Sequence, residues 1–170
     1  MSRSLDQIPH GANVMVDANI VVYALMPQAN LHRPCQTLLE RGARGEIWLH
    51  TSASVVADVL HRAMVLEVLA QGLVQRSAEA VRLLKQRPDL VVGLIRYRTL
   101  LRDLRQAQID ILPLTYRDLH TSRVYREQYG LLVNDSLIVA VMQREHIQFL
   151  ATNDPDFKRV PGIGVCLPIR

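Results

Sequence analysis

The sequence predicts an α/β fold in which helices cover both faces of a mainly parallel, five-stranded sheet, giving a three-layer α/β/α sandwich. Short apolar runs alternate along the chain with longer segments of helical spacing. Strands that are separated by helices are joined by right-handed crossovers and therefore run parallel. The runs are apolar throughout, which is typical of strands buried on both faces. The expected strands are 14–16, 47–50, 109–112, 149–152 and 165–167.

Segments with helical periodicity fill the intervals between these strands. Thr51, Ser52 and Ser54 are the candidates to cap a helix after the second strand. The interval 70–108 should be helical with one break near Pro88, and its second helix should bury a stripe that includes Leu101. Further helices are expected over 20–25, 32–44, 118–129 and 134–145.

Length and composition indicate one domain over 1–170, with a polar lead-in over 1–12. No apolar run approaches the ~18 residues that span a bilayer, and the beginning of the chain lacks the apolar stretch of a secretory signal. Cys35 and Cys166 show neither metal-ligand nor disulfide spacing. These features predict a cytoplasmic protein with reduced thiols and no membrane segment.

The charged residues and histidines place weak limits on the partners and metals of the protein. The formal net charge of +4 is compatible with a polyanionic partner but does not establish one. The six histidines form no zinc-binding set, so zinc is disfavoured. The arginines over 96–105 fit a solvated helix face better than a contact with RNA phosphates.

Four aspartates that are distant in sequence are expected to meet at one edge of the sheet. Asp17 follows the first strand, and Asp154 follows the fourth. Asp58 and Asp135 are expected in the first turns of helices that leave the same edge, with Asn134 as the N-cap of the second helix. Ligands of parallel α/β sheets bind outside the carboxyl ends of the strands. The sequence therefore predicts a carboxylate cluster at this edge.

Such a cluster favours a hard divalent cation, because Mg²⁺ prefers oxygen ligands. Without a cation the like charges repel one another, and at least one carboxyl should have a raised pKa. A cation bound between the carboxylates can activate water and offset the charge of a phosphate. A phosphodiester of nucleic acid is therefore the natural class of substrate.

Four segments resemble the motifs of PIN-domain nucleases, with the VapC-type toxins of toxin–antitoxin pairs as the nearest subgroup. They are 16–19, 52–61, 134–138 and 151–157, and the resemblance extends over about 14–168. A single motif of this kind is weak. Four motifs in the right order, each at a strand end or helix start, make the resemblance specific.

The resemblance implies a PIN-like sandwich and an endoribonuclease that depends on Mg²⁺ or Mn²⁺ and cleaves RNA with metal-activated water. It also implies the role of toxin in a type II pair, with a small antitoxin protein as partner. A homodimer or higher homo-oligomer is expected.

The resemblance assigns the catalytic, metal-binding residues as follows. Asp17, Asp135 and Asp154 match the first, third and fourth acids of the family. Asp58 stands at the second position, where the family usually has Glu. Its side chain is one methylene shorter, so Asp58 is expected to act through a water or to hold the metal less tightly.

Three further polar residues are accessory candidates. Asn19 and Thr152 match accessory positions of the family. Asp156 is the alternative to Asp154 as the fourth acid. We favour Asp154, because Asp156 beside Phe157 is expected to cap the local turn.

Three other functions remain open from the sequence. One is a free-standing PIN nuclease in RNA processing or decay. Another is an aspartate-nucleophile phosphatase, which needs a second Asp two residues after the first, where this chain has Asn19. The third is a catalytically weak, PIN-fold binding module, and the four retained acids argue against it.

Overall fold

The computed structural model of the chain describes residues 3–26 and 29–169. Within these residues, six strands form a single sheet in which all neighbours run parallel. The strands are β1 (Arg3–Ser4), β2 (Asn13–Val16), β3 (Trp48–Ser52), β4 (Ile109–Leu112), β5 (Phe149–Ala151) and β6 (Gly164–Leu167). Their spatial order is β1-β6-β5-β2-β3-β4.

Eight α-helices connect the strands in the described part of the chain. They are α1 (Ala18–Leu25), α2 (His32–Ala43), α3 (Ala53–Ala70), α4 (Ser77–Gln86), α5 (Pro88–Gly93), α6 (Arg96–Gln106), α7 (Tyr116–Tyr129) and α8 (Val133–Arg144). Helix α1 packs on α2 and α3, and α3 also packs on α6. Helix α7 packs on α8. Right-handed crossovers place these two groups on opposite faces of the sheet. The three-layer sandwich is therefore confirmed.

The strand count differs from the expected five because the first residues join the sheet. Arg3 and Ser4 pair with Cys166 and Leu167 of β6. A 3₁₀ turn follows over Leu5–Gln7. The segment expected to be a polar lead-in also contributes to the core, since Leu5 and Ile8 are buried. A two-residue strand is too short to produce a recognisable period in the sequence.

The interval 70–108 contains three helices, because the expected second helix is divided between α5 and α6. At the division, the carboxylate of Glu67 on α3 accepts hydrogen bonds from the backbone N–H groups of Ile95 and Arg96, each at 2.9 Å. The buried stripe is also shifted. Leu100 is buried and Leu101 is 50% exposed, so the prediction for Leu101 is wrong. A long-range contact, which periodicity does not record, sets this boundary.

Strand β2 lies at the centre of the sheet and is fully buried over residues 14–16. Its neighbours are β3, which follows it in sequence, and β5, which returns from the far end of the chain. Strands β3 and β4 therefore extend the sheet on one side of β2, and strands β5, β6 and β1 extend it on the other side. In open parallel sheets the crevice for a ligand opens at such a switch point, outside the carboxyl ends of the strands.

Two further findings concern the helices and the cysteines. None of the described helices has the length and apolar character to cross a membrane. Cys35 and Cys166 are free and buried. Burial raises the pKa of Cys35 to about 12 and that of Cys166 to about 11, which keeps both thiols protonated at neutral pH.

Candidate active site

Asp17 is the first residue after β2 and forms the centre of a hydrogen-bond network. Its backbone N–H donates to the carbonyl of Ala151 at 3.0 Å, which fixes it against β5. Its Oδ1 caps α1 by accepting from Ala18 N at 2.6 Å. Its Oδ2 accepts from Asn19 Nδ2 at 2.6 Å and from Thr152 Oγ1 at 2.7 Å. Burial raises the pKa of Asp17, and the hydrogen bonds from Thr152 and Ala18 oppose this shift.

Asn19 and Thr152 connect the loop after β2 to the loop after β5. Asn19 Oδ1 accepts from the backbone N–H of Asn153 at 3.0 Å. Thr152 Oγ1 donates to Asp17 and accepts from the backbone N–H of Asp154 at 3.0 Å. The two accessory candidates therefore hold two of the aspartates in a fixed relation.

Asp135 occupies the first turn of α8, as expected, but the helix begins earlier than expected. The N-cap is Leu132, without a side-chain cap, and the exposed Asn134 is already helical. The prediction that Asn134 caps this helix is therefore wrong. Burial raises the pKa of Asp135 to about 6, and the nearby charges of Asp154 and Asp17 add to the shift. Asp135 thus lies in a field of like charge with little compensation.

Asp154, and not Asp156, caps the local turn, so the prediction that Asp156 is the cap is wrong. Asp154 Oδ1 accepts from the backbone N–H of Asp156 at 2.8 Å and caps the 3₁₀ helix Pro155–Arg159. Asp156 Oδ1 accepts from Arg159 Nη2 at 2.7 Å. Asp154 is thus both the cap and an acid of the cavity described below. The sequence contains a signal for this cap, because Asp154 precedes Pro155 and Pro is favoured at the first helical position.

Asp58 lies in the second turn of α3 rather than in the first. The helix is capped by Ser52, whose Oγ accepts from Val55 N at 3.3 Å. Asp58 Oδ2 accepts a hydrogen bond from Arg62 Nε at 2.9 Å, one helical turn further along. The side chain of Asp58 is 29% exposed, and that of Arg62 is 50% exposed. Asp58 is therefore partly shielded from solvent and already paired with a cation.

A cavity of about 420 Å³ opens beside these residues at the switch point. Its lining brings together Asp17, Asn19, Asp58, Asp135 and Asp154. Thr152 and Asp156 are not part of the lining, although Thr152 contacts Asp17. Three lining residues lie outside the four motif segments, and these are Arg62, Leu132 and Val133. Of these, Arg62 could have been found from its four-residue spacing to Asp58.

The donor set of this cavity suits a hard divalent cation, since it consists of carboxylates with little positive charge among them. The geometry is not that of a preformed metal site. Within 3–26 and 29–169, no three His, Cys, Asp or Glu side chains are grouped closely enough to hold one ion. Hydrogen bonds within the protein partly explain why these carboxylates are not grouped. Asp17, Asp58 and Asp154 each have an oxygen that already accepts a hydrogen bond from the chain. Binding of an ion would require carboxylates to rotate toward one another.

Several solved structures share this fold. VapBC2 from Rickettsia felis, bound to a promoter DNA fragment, is 20% identical with a TM-score of 0.56, covering 91% of this chain and 98% of that chain. A toxin–antitoxin complex from Klebsiella pneumoniae is 18% identical with a TM-score of 0.54, covering 92% and 98%. VapC20 from Mycobacterium tuberculosis, a sarcin-ricin-loop-cleaving toxin, is 13% identical with a TM-score of 0.54, covering 90% and 98%.

No curated protein matches the sequence. The family model of the PIN domain, in contrast, matches residues 14–163, which include all four aspartates, strands β3, β4 and β5 and all of β2 except Asn13, but neither β1 nor β6. The match extends over most of the chain and agrees with the parallel sheet and with the acids at its switch point. The chain belongs to the PIN-domain family.

Proposed function

We propose that this chain is a divalent-metal-dependent endoribonuclease that hydrolyses phosphodiester bonds of RNA. The observation that supports it is the convergence of Asp17, Asp58, Asp135 and Asp154 on one cavity in a PIN-domain chain. The charges of Asp154 and Asp17 add to the rise that burial causes in the pKa of Asp135, and a bound cation would offset this repulsion. Buried acids that face one another are typical of functional sites.

We assign the metal ligands to Asp17, Asp135 and Asp154, with Asp58 acting more weakly or through a water. Bound Mg²⁺ or Mn²⁺ would supply an activated water and offset the charge of the phosphate. Asn19 and Thr152 hold Asp17 in place with two hydrogen bonds to one oxygen. The bond from Thr152 lowers the pKa of Asp17 in opposition to burial and so favours the ionised form, which is the form that binds a cation.

We further propose that the protein is the toxin of a type II toxin–antitoxin pair and acts in the cytoplasm. Similar folds occur in VapBC2 and in the Klebsiella toxin–antitoxin complex. The partner would be a small antitoxin protein that places an Arg or Lys near Asp17 and Asp135, since a guanidinium can bridge two carboxylates. An apolar groove of about 200 Å³ between α1, α3 and α6 is open to a segment of such a partner. A homodimer or higher homo-oligomer is part of this proposal.

The enzymatic proposal is tested with the purified chain and a mixed pool of RNA. We expect cleavage in Mg²⁺ or Mn²⁺, no cleavage in EDTA, and recovery when the cation is restored. Cleavage that persists in EDTA would contradict metal dependence. Absence of cleavage in both cations, with the protein folded by circular dichroism, would leave the binding-module interpretation in its place.

The biological role is tested by induction in the host. We expect that the chain alone arrests growth and that co-expression of the adjacent open reading frame restores it. Removal of the basic residues of the partner should abolish the rescue. If induction is harmless while the purified protein cleaves RNA, the protein is an RNA-processing nuclease rather than a toxin.

A further inference from the structure

The cavity of the four aspartates contains one cationic side chain, Arg62, among its described lining residues. Arg62 reaches the cavity from α3, one turn beyond Asp58. Its charge is close enough to lower the pKa of Asp17 in opposition to burial. Arg62 therefore lies within the electrostatic field of the site and is not merely part of the exposed face of α3.

The guanidinium of Arg62 is held from one side only. Asp58 Oδ2 accepts from Nε at 2.9 Å. Within the described residues, the two terminal nitrogens of Arg62 donate no hydrogen bond to the protein, and half of the side chain is exposed. An arginine offers a planar fork of N–H donors whose spacing matches the oxygens of a phosphate. The unused edge of this fork is available to an anion that enters the cavity.

A phosphodiester needs such a group at this site. Four carboxylates repel an anionic substrate, and a cation bound among them offsets only part of that repulsion. A fixed guanidinium at the wall adds an attractive contact in partly desolvated surroundings, where charge-assisted hydrogen bonds are strong. The pairing with Asp58 reduces the side-chain entropy that Arg62 would otherwise lose when it binds phosphate.

We propose that Arg62 binds a phosphate of the nucleic-acid substrate through the outer edge of its guanidinium, while Asp58 holds the inner edge. The inference rests on the proposed nuclease function. It assigns to α3 a substrate-binding role in addition to the acid that it contributes.

The first test measures RNA binding without cleavage. Arg62→Ala and Arg62→Lys are made in an Asp135→Asn background and titrated against a fluorescein-labelled single-stranded RNA. Loss of one charge-assisted phosphate contact should weaken binding ~10-fold for Arg62→Ala, with a smaller loss for Arg62→Lys. In Arg62→Ala, the slope of log affinity against log salt should become less steep by the amount that corresponds to one lost phosphate contact.

Arg123→Ala is the matched control. Arg123 forms the same i,i+4 pair, with Nε 2.6 Å from Glu127 Oε1, but it lies on α7 and does not line the cavity. Arg123→Ala changes the net charge by the same amount as Arg62→Ala. Because Arg123 lies outside the cavity, we expect it to weaken RNA binding less than ~2-fold. Equal effects of Arg62→Ala and Arg123→Ala on affinity and salt slope would overturn the proposal.

A kinetic comparison separates phosphate binding from a role as internal counter-ion. If Arg62 only offsets the acids, Arg62→Ala should lower the Mg²⁺ concentration for half-maximal activity and leave RNA binding unchanged, which would overturn the proposal. Our proposal expects a higher KM for RNA, partly restored in Arg62→Lys. If the parent protein does not cleave RNA, the nuclease function is refuted. The binding titration would still show whether Arg62 contacts a phosphate of RNA.

Discussion

Carboxylates that are wholly or partly shielded from solvent occur in two regions of this molecule, and the two regions surround them differently. Glu67 on α3 and Asp118 on α7 are 7% and 2% exposed. Glu67 accepts from two backbone N–H groups at the start of α6. Asp118 accepts from the N–H and hydroxyl of Thr115, with Arg144 Nε 3.3 Å away. At the switch point, by contrast, Asp135 faces two other acids.

The difference teaches that burial alone does not mark a functional acid. A buried carboxylate that is surrounded by donors holds helices in place, and its charge is already compensated. A carboxylate surrounded by other carboxylates is destabilising to the folded state, because the repulsion is not offset within the chain. Such an arrangement is retained where a ligand supplies the missing charge. Substitutions in the two regions should therefore have opposite effects.

The largest expected effect is on activity, at Asp135. Asp135→Asn is nearly isosteric and removes a charge from the proposed metal site, so cleavage of RNA should fall by at least ~100-fold. The variant should be as stable as the parent or more stable, because repulsion from Asp154 and Asp17 is relieved. An RNase assay beside a thermal melt measures both quantities. Full activity in this variant would remove Asp135 from the site.

The opposite outcome is expected for Glu67. Glu67→Gln replaces a carboxylate that caps α6 with an amide that carries an unneeded donor, so the free energy of unfolding should fall by about 1–2 kcal/mol. Activity per folded molecule should stay within ~2-fold of the parent, because Glu67 does not line the cavity. Denaturant unfolding and the same RNase assay decide the matter. A variant that kept its stability but lost activity would erase the distinction between the two regions.

The same contrast explains which features the sequence could predict. The apolar runs and the acids that follow them predicted the parallel sheet and the edge at which Asp17, Asp135 and Asp154 meet, because crossover handedness leaves few arrangements. Ser52 was one of three candidate caps, with Thr51 and Ser54, and it is the cap, through a hydrogen bond from Val55 that is local in sequence.

Two of the errors involve contacts between residues that are far apart in sequence. The division between α5 and α6 depends on Glu67, some thirty residues earlier, and periodicity contains no record of that contact. The inclusion of β1 in the sheet depends on pairing with β6 at the other end of the chain. The wrong prediction that Asp156 caps the turn concerns a local contact, because Asp154 accepts from the backbone N–H of Asp156 and caps the 3₁₀ helix.

A smaller effect is expected at Asp58, which lies between the two classes because it faces the cavity and is paired with Arg62. Asp58→Ala should raise the Mg²⁺ concentration for half-maximal activity by ~3-fold, since one negative charge near the ion is lost. Asp58→Glu should be tolerated and should lower that concentration, because the longer side chain reaches further into the site. If Asp58→Ala required the same Mg²⁺ as the parent, the site would contain three acids rather than four.

The smallest expected effect is on the pH dependence of stability in EDTA. The folded protein raises the pKa of Asp135 from its usual 3.8 to about 6, so the folded state holds this proton more tightly than the unfolded state does. Ionisation of Asp135 therefore costs folding free energy, and the cost develops as the pH rises from about 4 through 6.

Asp135→Asn has no such proton, so the comparison isolates this group. The free energy of unfolding of the variant minus that of the parent should increase from near zero at about pH 4 to about 1 kcal/mol at about pH 7, a value reduced for solvent screening of a half-buried side chain. Urea titrations of both proteins across this range measure the difference. The substitution also removes the repulsion that Asp135 shares with Asp17 and Asp154, so the sign of the slope of the difference is diagnostic. A difference that is constant with pH, or that shrinks as the pH rises, would mean that Asp135 is compensated in the way that Glu67 and Asp118 are.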